Sequence, residues 1–146
     1  MSTGVVTRDR AHDPAYQSFV LLRIGFAVLP ILFGADKFAD LLVDWERYLA
    51  PWIVDLAPFS ATTTMYVVGV VEILAGLAVA VKPRYGAWLV VGWLGAIIVT
   101  LLTSAGFYNV ALRDLGLLLG ALTLARLSTR FDPAVALRTG VSRART

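Results

Sequence analysis

The chain has 146 residues, 58% of them hydrophobic and 16% charged, with a net charge of +3. Average soluble domains are about 45–50% apolar and about 25% charged, and one domain of this length has too little interior to hide the surplus, so lipid has to cover it. The basic residues gather in the ends and one short connection rather than among the aromatic residues, which excludes a nucleic-acid-binding face, and the absence of cysteine removes disulfides and thiolate chemistry.

Residues 1–15 are polar, and they hold His12, a lone histidine that makes a transition-metal site improbable. The first apolar run covers residues 16–38. It is too long for the roughly 7–15-residue core of a signal peptide, contains Arg23 and is followed by no small-x-small cleavage site, so it reads as a true span. The connection 39–61 places Trp45, Tyr48, Leu49, Trp52, Ile53 and Leu56 on one helical stripe opposite Asp44, Glu46, Arg47 and Asp55. That pattern predicts an amphipathic segment lying in the membrane interface, divided into two short helices by Pro51, which lacks an N–H.

Further apolar runs follow at 62–81, 85–103 and 112–127. A helix needs roughly 20 residues to cross the hydrocarbon core, and alternating segments of the barrel type are missing. The expected fold is therefore an all-α membrane protein, a bundle of four transmembrane helices followed by a basic tail at 128–146. In that tail the arginines and a brief apolar patch (Phe131, Val135, Leu137) suit either anionic lipid or a disordered segment.

Lys and Arg set the orientation. Arg8, Arg10, Lys82, Arg84, Arg126, Arg130, Arg138, Arg143 and Arg145 fall on one side, against Lys37, Arg47 and Arg113 on the other. By the positive-inside rule both termini are cytoplasmic and the long connection faces out of a cell membrane. Arg outnumbers Lys eleven to two, a weak pointer to a bacterial source.

Ionisable groups at bilayer depth cost at least about 2.5–3.5 kcal/mol each, so six charges are informative: Arg23, Asp36, Lys37, Glu72, Arg113 and Asp114. Small residues mark where membrane helices approach one another. Arg23 and Lys37 share a face with Ala27, Pro30 and Gly34, and Glu72 shares one with Val68, Gly69, Ala75 and Gly76. Arg113 continues into Gly116, Gly120 and Thr123, and span three offers Gly92, Ala96 and Thr103, with Gly95 and Thr100 beside them. Measured from the inner ends of the apolar runs at about 1.5 Å per residue, Arg23 and Glu72 come to similar depth. An Arg23–Glu72 ion pair is the first expectation. Asp36, Lys37, Arg113 and Asp114, with Tyr66, Tyr108 and Asn109 nearby, form an expected outer polar cluster. It would either hold the helices together or present Lys37 and Arg113 to a quinone carbonyl or small anion.

The segments Leu22-Arg23-Ile24-Gly25, Gly34-x-x-Lys37-Phe38 and Glu72 followed by Gly76 resemble the DoxX/DoxD-like family of small four-helix membrane proteins. The resemblance spans residues 19–127, and the Arg113-Asp114 pair is similar to a charged position of that family. It implies a membrane subunit of a redox complex that can contact quinone, and the lack of cysteine and of any flavin, haem or metal motif argues against independent catalysis. The alternative is a non-catalytic assembly partner that docks another membrane protein or a second copy of itself. A channel is the weakest reading, since four spans enclose a pore only as an oligomer and no inverted repeat or broken-helix pair is visible.

Overall fold

The computed structural model describes residues 10–132, and all regular structure among them is helical. Helix α1 (Pro14–Ala39) starts where Asp13 accepts a 2.9 Å hydrogen bond from the Ala15 N–H and Pro14 occupies the first turn. It ends at Asp40, whose φ of 48° lies in the left-handed region and whose N–H donates to the Asp36 carbonyl at 2.7 Å. A 3₁₀ turn (Trp45–Tyr48) and a short helix α2 (Pro51–Leu56) follow, so the connection divides at Pro51 as expected. Ser60 caps α3 (Ala61–Val81) by accepting from the Thr63 N–H. Only Lys82 separates α3 from α4 (Pro83–Thr103), because Pro83 cannot continue the preceding helix but suits the first turn of a new one. Gly106, at φ +100°, turns the chain into α5 (Tyr108–Phe131).

Three helices, α1, α3 and α4, are long and apolar enough to cross a membrane. Large apolar side chains such as Leu21 (72% exposed), Leu74 and Leu119 are left uncovered by protein along them and along α5. The chain is a membrane protein whose helices meet lipid. Helix α5 is 24 residues long, four longer at each end than its apolar run, since Tyr108, Asn109 and Arg130 sustain backbone hydrogen bonding that hydropathy does not register. It also carries Arg113, Asp114, Arg126 and Arg130.

The helices form a ring in which α1 packs chiefly on α3 and α4 chiefly on α5, closed by α3–α4 and α1–α5 contacts. One end bears residues 40–60 and 104–107 and is termed the cap end; the other bears Asp13, Lys82 and Phe131 and is termed the tail end. The apolar core lies toward the tail end, where Phe19, Val79, Ala87, Leu124 and Phe131 are buried together and the Phe19 and Phe131 ring centres are 5.8 Å apart. The α1–α3 seam is closer than side chains would permit. A Cβ on Gly34 would lie 2.5 Å from the Gly69 carbonyl oxygen, and one on Gly76 2.5 Å from the Ala27 carbonyl oxygen.

The expected small-residue faces hold for α1 and α3 but not for α4 and α5. Ala27, Gly34 and Lys37 are buried, as are Gly69, Ala75 and Gly76. Helix α4 instead buries Pro83, Gly86, Ala87, Val90, Leu94 and Leu101, with Gly92 and Gly95 facing open space. Helix α5 packs through Ala111, Asp114, Ala121, Leu124, Ala125 and Ser128. Its face is thus one residue round from the Arg113–Gly116 stripe, and Gly116 meets nothing within 4 Å. Residues that interdigitate without voids decide the seam, and on these two helices they are Val, Leu and Ala. Of the N-terminal tail and the basic tail, Arg8, Val135, Leu137, Arg138, Arg143 and Arg145 lie outside the described residues.

Candidate functional site

The polar residues concentrate at the cap end, where α1 stops and the chain folds back over the bundle. Lys37 is 4% exposed, yet its Nζ lies 2.7 Å from Glu72 Oε2. The same ammonium sits 3.7 Å from the centre of the Trp45 ring, a cation–π geometry. Asp36 is also buried. Its carboxylate accepts from the Leu41 and Leu42 N–H groups at 3.2 Å and from Trp45 Nε1 at 2.7 Å. Trp45 thus closes a chain of contacts, Asp36–Trp45–Lys37–Glu72, joining α1, the connection and α3.

The expected Arg23–Glu72 pair does not form. The glycine contacts set Gly34 opposite Gly69 and Ala27 opposite Gly76, which puts Arg23 level with Ala80 and eight residues, roughly 12 Å, from Glu72. Helix α1 begins well beyond the end of α3, so depths counted from the two apolar ends do not share an origin. Direction matters equally. Side chains on a helix lean toward its N-terminus, and α1 and α3 are antiparallel. Lys37 therefore leans toward the tail end and Glu72 toward the cap end, so the two converge, whereas Arg23 leans away from Glu72. Arg23 instead donates from Nη2 to the Ala80 carbonyl at 2.6 Å, at the last turn of α3 where carbonyls lack helical partners.

The expected outer cluster separates into three places. Asp36 and Lys37 belong to the buried chain just described. Tyr66 stacks on Phe38, ring centres 4.9 Å apart. Asn109, Arg113 and Asp114 lie on α5, where Arg113 Nε donates to Asp114 Oδ1 at 3.1 Å. Within that pair Asp114 is buried, whereas the Arg113 side chain is 67% exposed. Asn109 is exposed on the first turn of α5. Among the described residues α1 and α5 meet at Tyr16 and Phe19 against Phe131 and at Phe26 against Gly120, away from Asp36 and Lys37.

Sequence reasoning missed Trp45, reading it only as an interfacial aromatic residue. The available signal was that Asp36 and Lys37 needed buried partners and that indole supplies both an N–H donor and a π face. It also missed the loop contacts that fasten the cap: Glu46 Oε1 accepts from Thr62 Oγ1 at 2.5 Å, Trp52 Nε1 donates to Thr103 Oγ1 at 3.0 Å, and Tyr48 meets Phe107 at 5.0 Å. Among the described residues no group of three His, Asp or Glu side chains could hold a metal ion.

Fold and site together define an all-helical membrane bundle whose loop cap is locked down by buried ionic and aromatic contacts. No family model, curated protein or solved structure matches the chain.

Proposed function

We propose that the chain is a four-span, DoxX-like membrane subunit of a redox complex, with both termini cytoplasmic and the cap outside, and that it contributes anchoring and assembly rather than chemistry. The observation that carries this reading is the commitment of Lys37. An ammonium 4% exposed, 2.7 Å from a carboxylate and seated on an indole ring, has its charge matched inside the bundle and is shielded from a substrate. The family likeness supports the redox setting, and the lipid-side glycines Gly92, Gly95 and Gly116 leave room for a helix of another subunit to approach.

Purification in a mild detergent, with identification of bound protein and of any lipid-soluble cofactor, tests it. A stoichiometric membrane-protein partner is expected to co-purify with the wild type, and Lys37→Met is expected to lose yield and partner together. A Lys37→Met protein that stays folded and associated but loses a quinone-dependent activity overturns the assembly role. Quinone contact is the second reading, favoured by Arg113, whose guanidinium is largely exposed at the cap end and held by buried Asp114. Bound quinone that disappears in Arg113→Met would support it.

A further inference from the structure

Arg23 is a cation held within the apolar part of the bundle, and no carboxylate among the described residues pairs with it. The two carboxylates described at the tail end have other contacts: Asp13 with Arg130 at 3.6 Å, and Asp132 with the Arg84 N–H at 3.4 Å. Nη2 reaches the Ala80 carbonyl, but a neutral carbonyl does not cancel a full charge, and the guanidinium has five N–H donors in a fork matched to phosphate.

The surroundings specify what completes the charge. Arg23 lines an open groove of about 450 Å³ formed by Tyr16, Val20, Ile24, Ala27 and Val28 of α1 with Ala80 of α3. The groove is apolar along its length and cationic at one point. Ala80 lies in the last turn of α3, two residues from Lys82, and the Arg23 side chain leans toward this tail end, the direction from which a lipid headgroup would reach it. A water-soluble anion would have to enter an apolar slot, whereas a phospholipid reaching Arg23 with its phosphate keeps its hydrocarbon chain in the apolar part of the groove. Lys82 and Arg84 are exposed beside the site and add positive potential.

We propose that this groove binds one anionic phospholipid, its phosphate on Arg23 and one acyl chain running toward the cap end along Ile24, Ala27 and Val28. The site goes beyond the assembly role and is independent of it.

The test is thermal unfolding of the full chain in mild detergent with added dioleoylphosphatidylglycerol, dioleoylphosphatidylcholine or inorganic phosphate. Phosphatidylglycerol is expected to raise Tm by at least about 3 °C, and the other two to leave it unchanged. Arg23→Gln should abolish the rise, Arg23→Lys should keep part of it, and Lys82→Gln/Arg84→Gln should keep most of it. Because Arg23→Gln also loses the contact to Ala80, Ile24→Trp serves as the second variant. It fills the groove while leaving the guanidinium in place, and it should lose the rise as well. Equal responses to the two lipids, a response reproduced by inorganic phosphate, or a full phosphatidylglycerol response in Ile24→Trp would each overturn the lipid site.

Discussion

Lys37 Nζ and Glu72 Oε2 are 2.7 Å apart across the α1–α3 seam, with the two side chains 4% and 12% exposed. Removing one partner strands the other charge in a low-dielectric interior, which costs about 3–5 kcal/mol in soluble proteins. Lys37→Met and Glu72→Gln are each expected to lower stability by about 2–4 kcal/mol, the neutral Gln variant less. Lys37→Met/Glu72→Gln, which removes both charges, should recover most of that loss. Reversible unfolding of the four proteins in detergent micelles gives the coupling energy; a double variant as damaged as the sum of the singles would dismiss the pair.

Asp36 is the hinge of the cap. Its carboxylate accepts from two consecutive backbone N–H groups and from Trp45 Nε1, and an abandoned buried donor costs about 1–3 kcal/mol. Asp36→Ala should therefore speed hydrogen exchange at the Leu41 and Leu42 amides by roughly 5- to 100-fold, while the amides of α4 exchange as before. Trp45→Phe keeps the ring but removes the N–H, so it should loosen the same amides to a smaller extent. Exchange at 41–42 that is indifferent to Asp36→Ala would show that the carboxylate does not hold the connection.

The glycine seam separates packing from mere smallness. Gly34→Ala and Gly76→Ala put a methyl group into a neighbouring carbonyl at 2.5 Å, so α1 and α3 must move apart. Each is expected to cost about 1–3 kcal/mol. Gly92→Ala and Gly116→Ala meet open space and should stay within about 0.5 kcal/mol of wild type. Parallel unfolding of the four variants distinguishes them, and equal losses would mean that the seam is not where Gly34 meets Gly69.

What could be read in advance follows from what periodicity encodes. The 3.6-residue repeat reports which way a side chain faces, so Ala27, Gly34 and Lys37 on α1, and Gly69 and Gly76 on α3, could be assigned to buried faces without coordinates. It does not report the relative height of two helices. That offset is set by close contacts far apart in the chain, Gly34 against Gly69 and Phe19 against Phe131, and it alone decides that Glu72 meets Lys37 rather than Arg23. On α4 and α5 the assumption that small residues mark the seam gave the wrong face by one or two positions. A tightly packed seam can equally be built from Ala121, Leu124 and Ala125, and lipid accepts glycine without complaint. The division at Pro51 was legible because a missing N–H is a local property, needing no partner to take effect.

The number of crossings is open to a parity measurement, and the cysteine-free chain lets single introduced thiols be labelled without background. Helices α1, α3 and α4 are each apolar enough to span, whereas α5 carries Arg113 and Asp114 within its first two turns. If α5 also crosses, the chain makes an even number of passes and its two ends share a side. Ser2→Cys and Thr146→Cys should then both resist a membrane-impermeant maleimide in intact cells, while Asp55→Cys in the exposed cap reacts. Permeabilised cells should label all three. Reaction of Thr146→Cys alone among the termini would leave three crossings, with α5 packed along the bundle instead of through the membrane. Both termini reactive, with Asp55→Cys protected, would keep four crossings but reverse the orientation that the Lys and Arg distribution implies. The discriminating power comes from parity: adding or removing one span moves one terminus and leaves the other where it was.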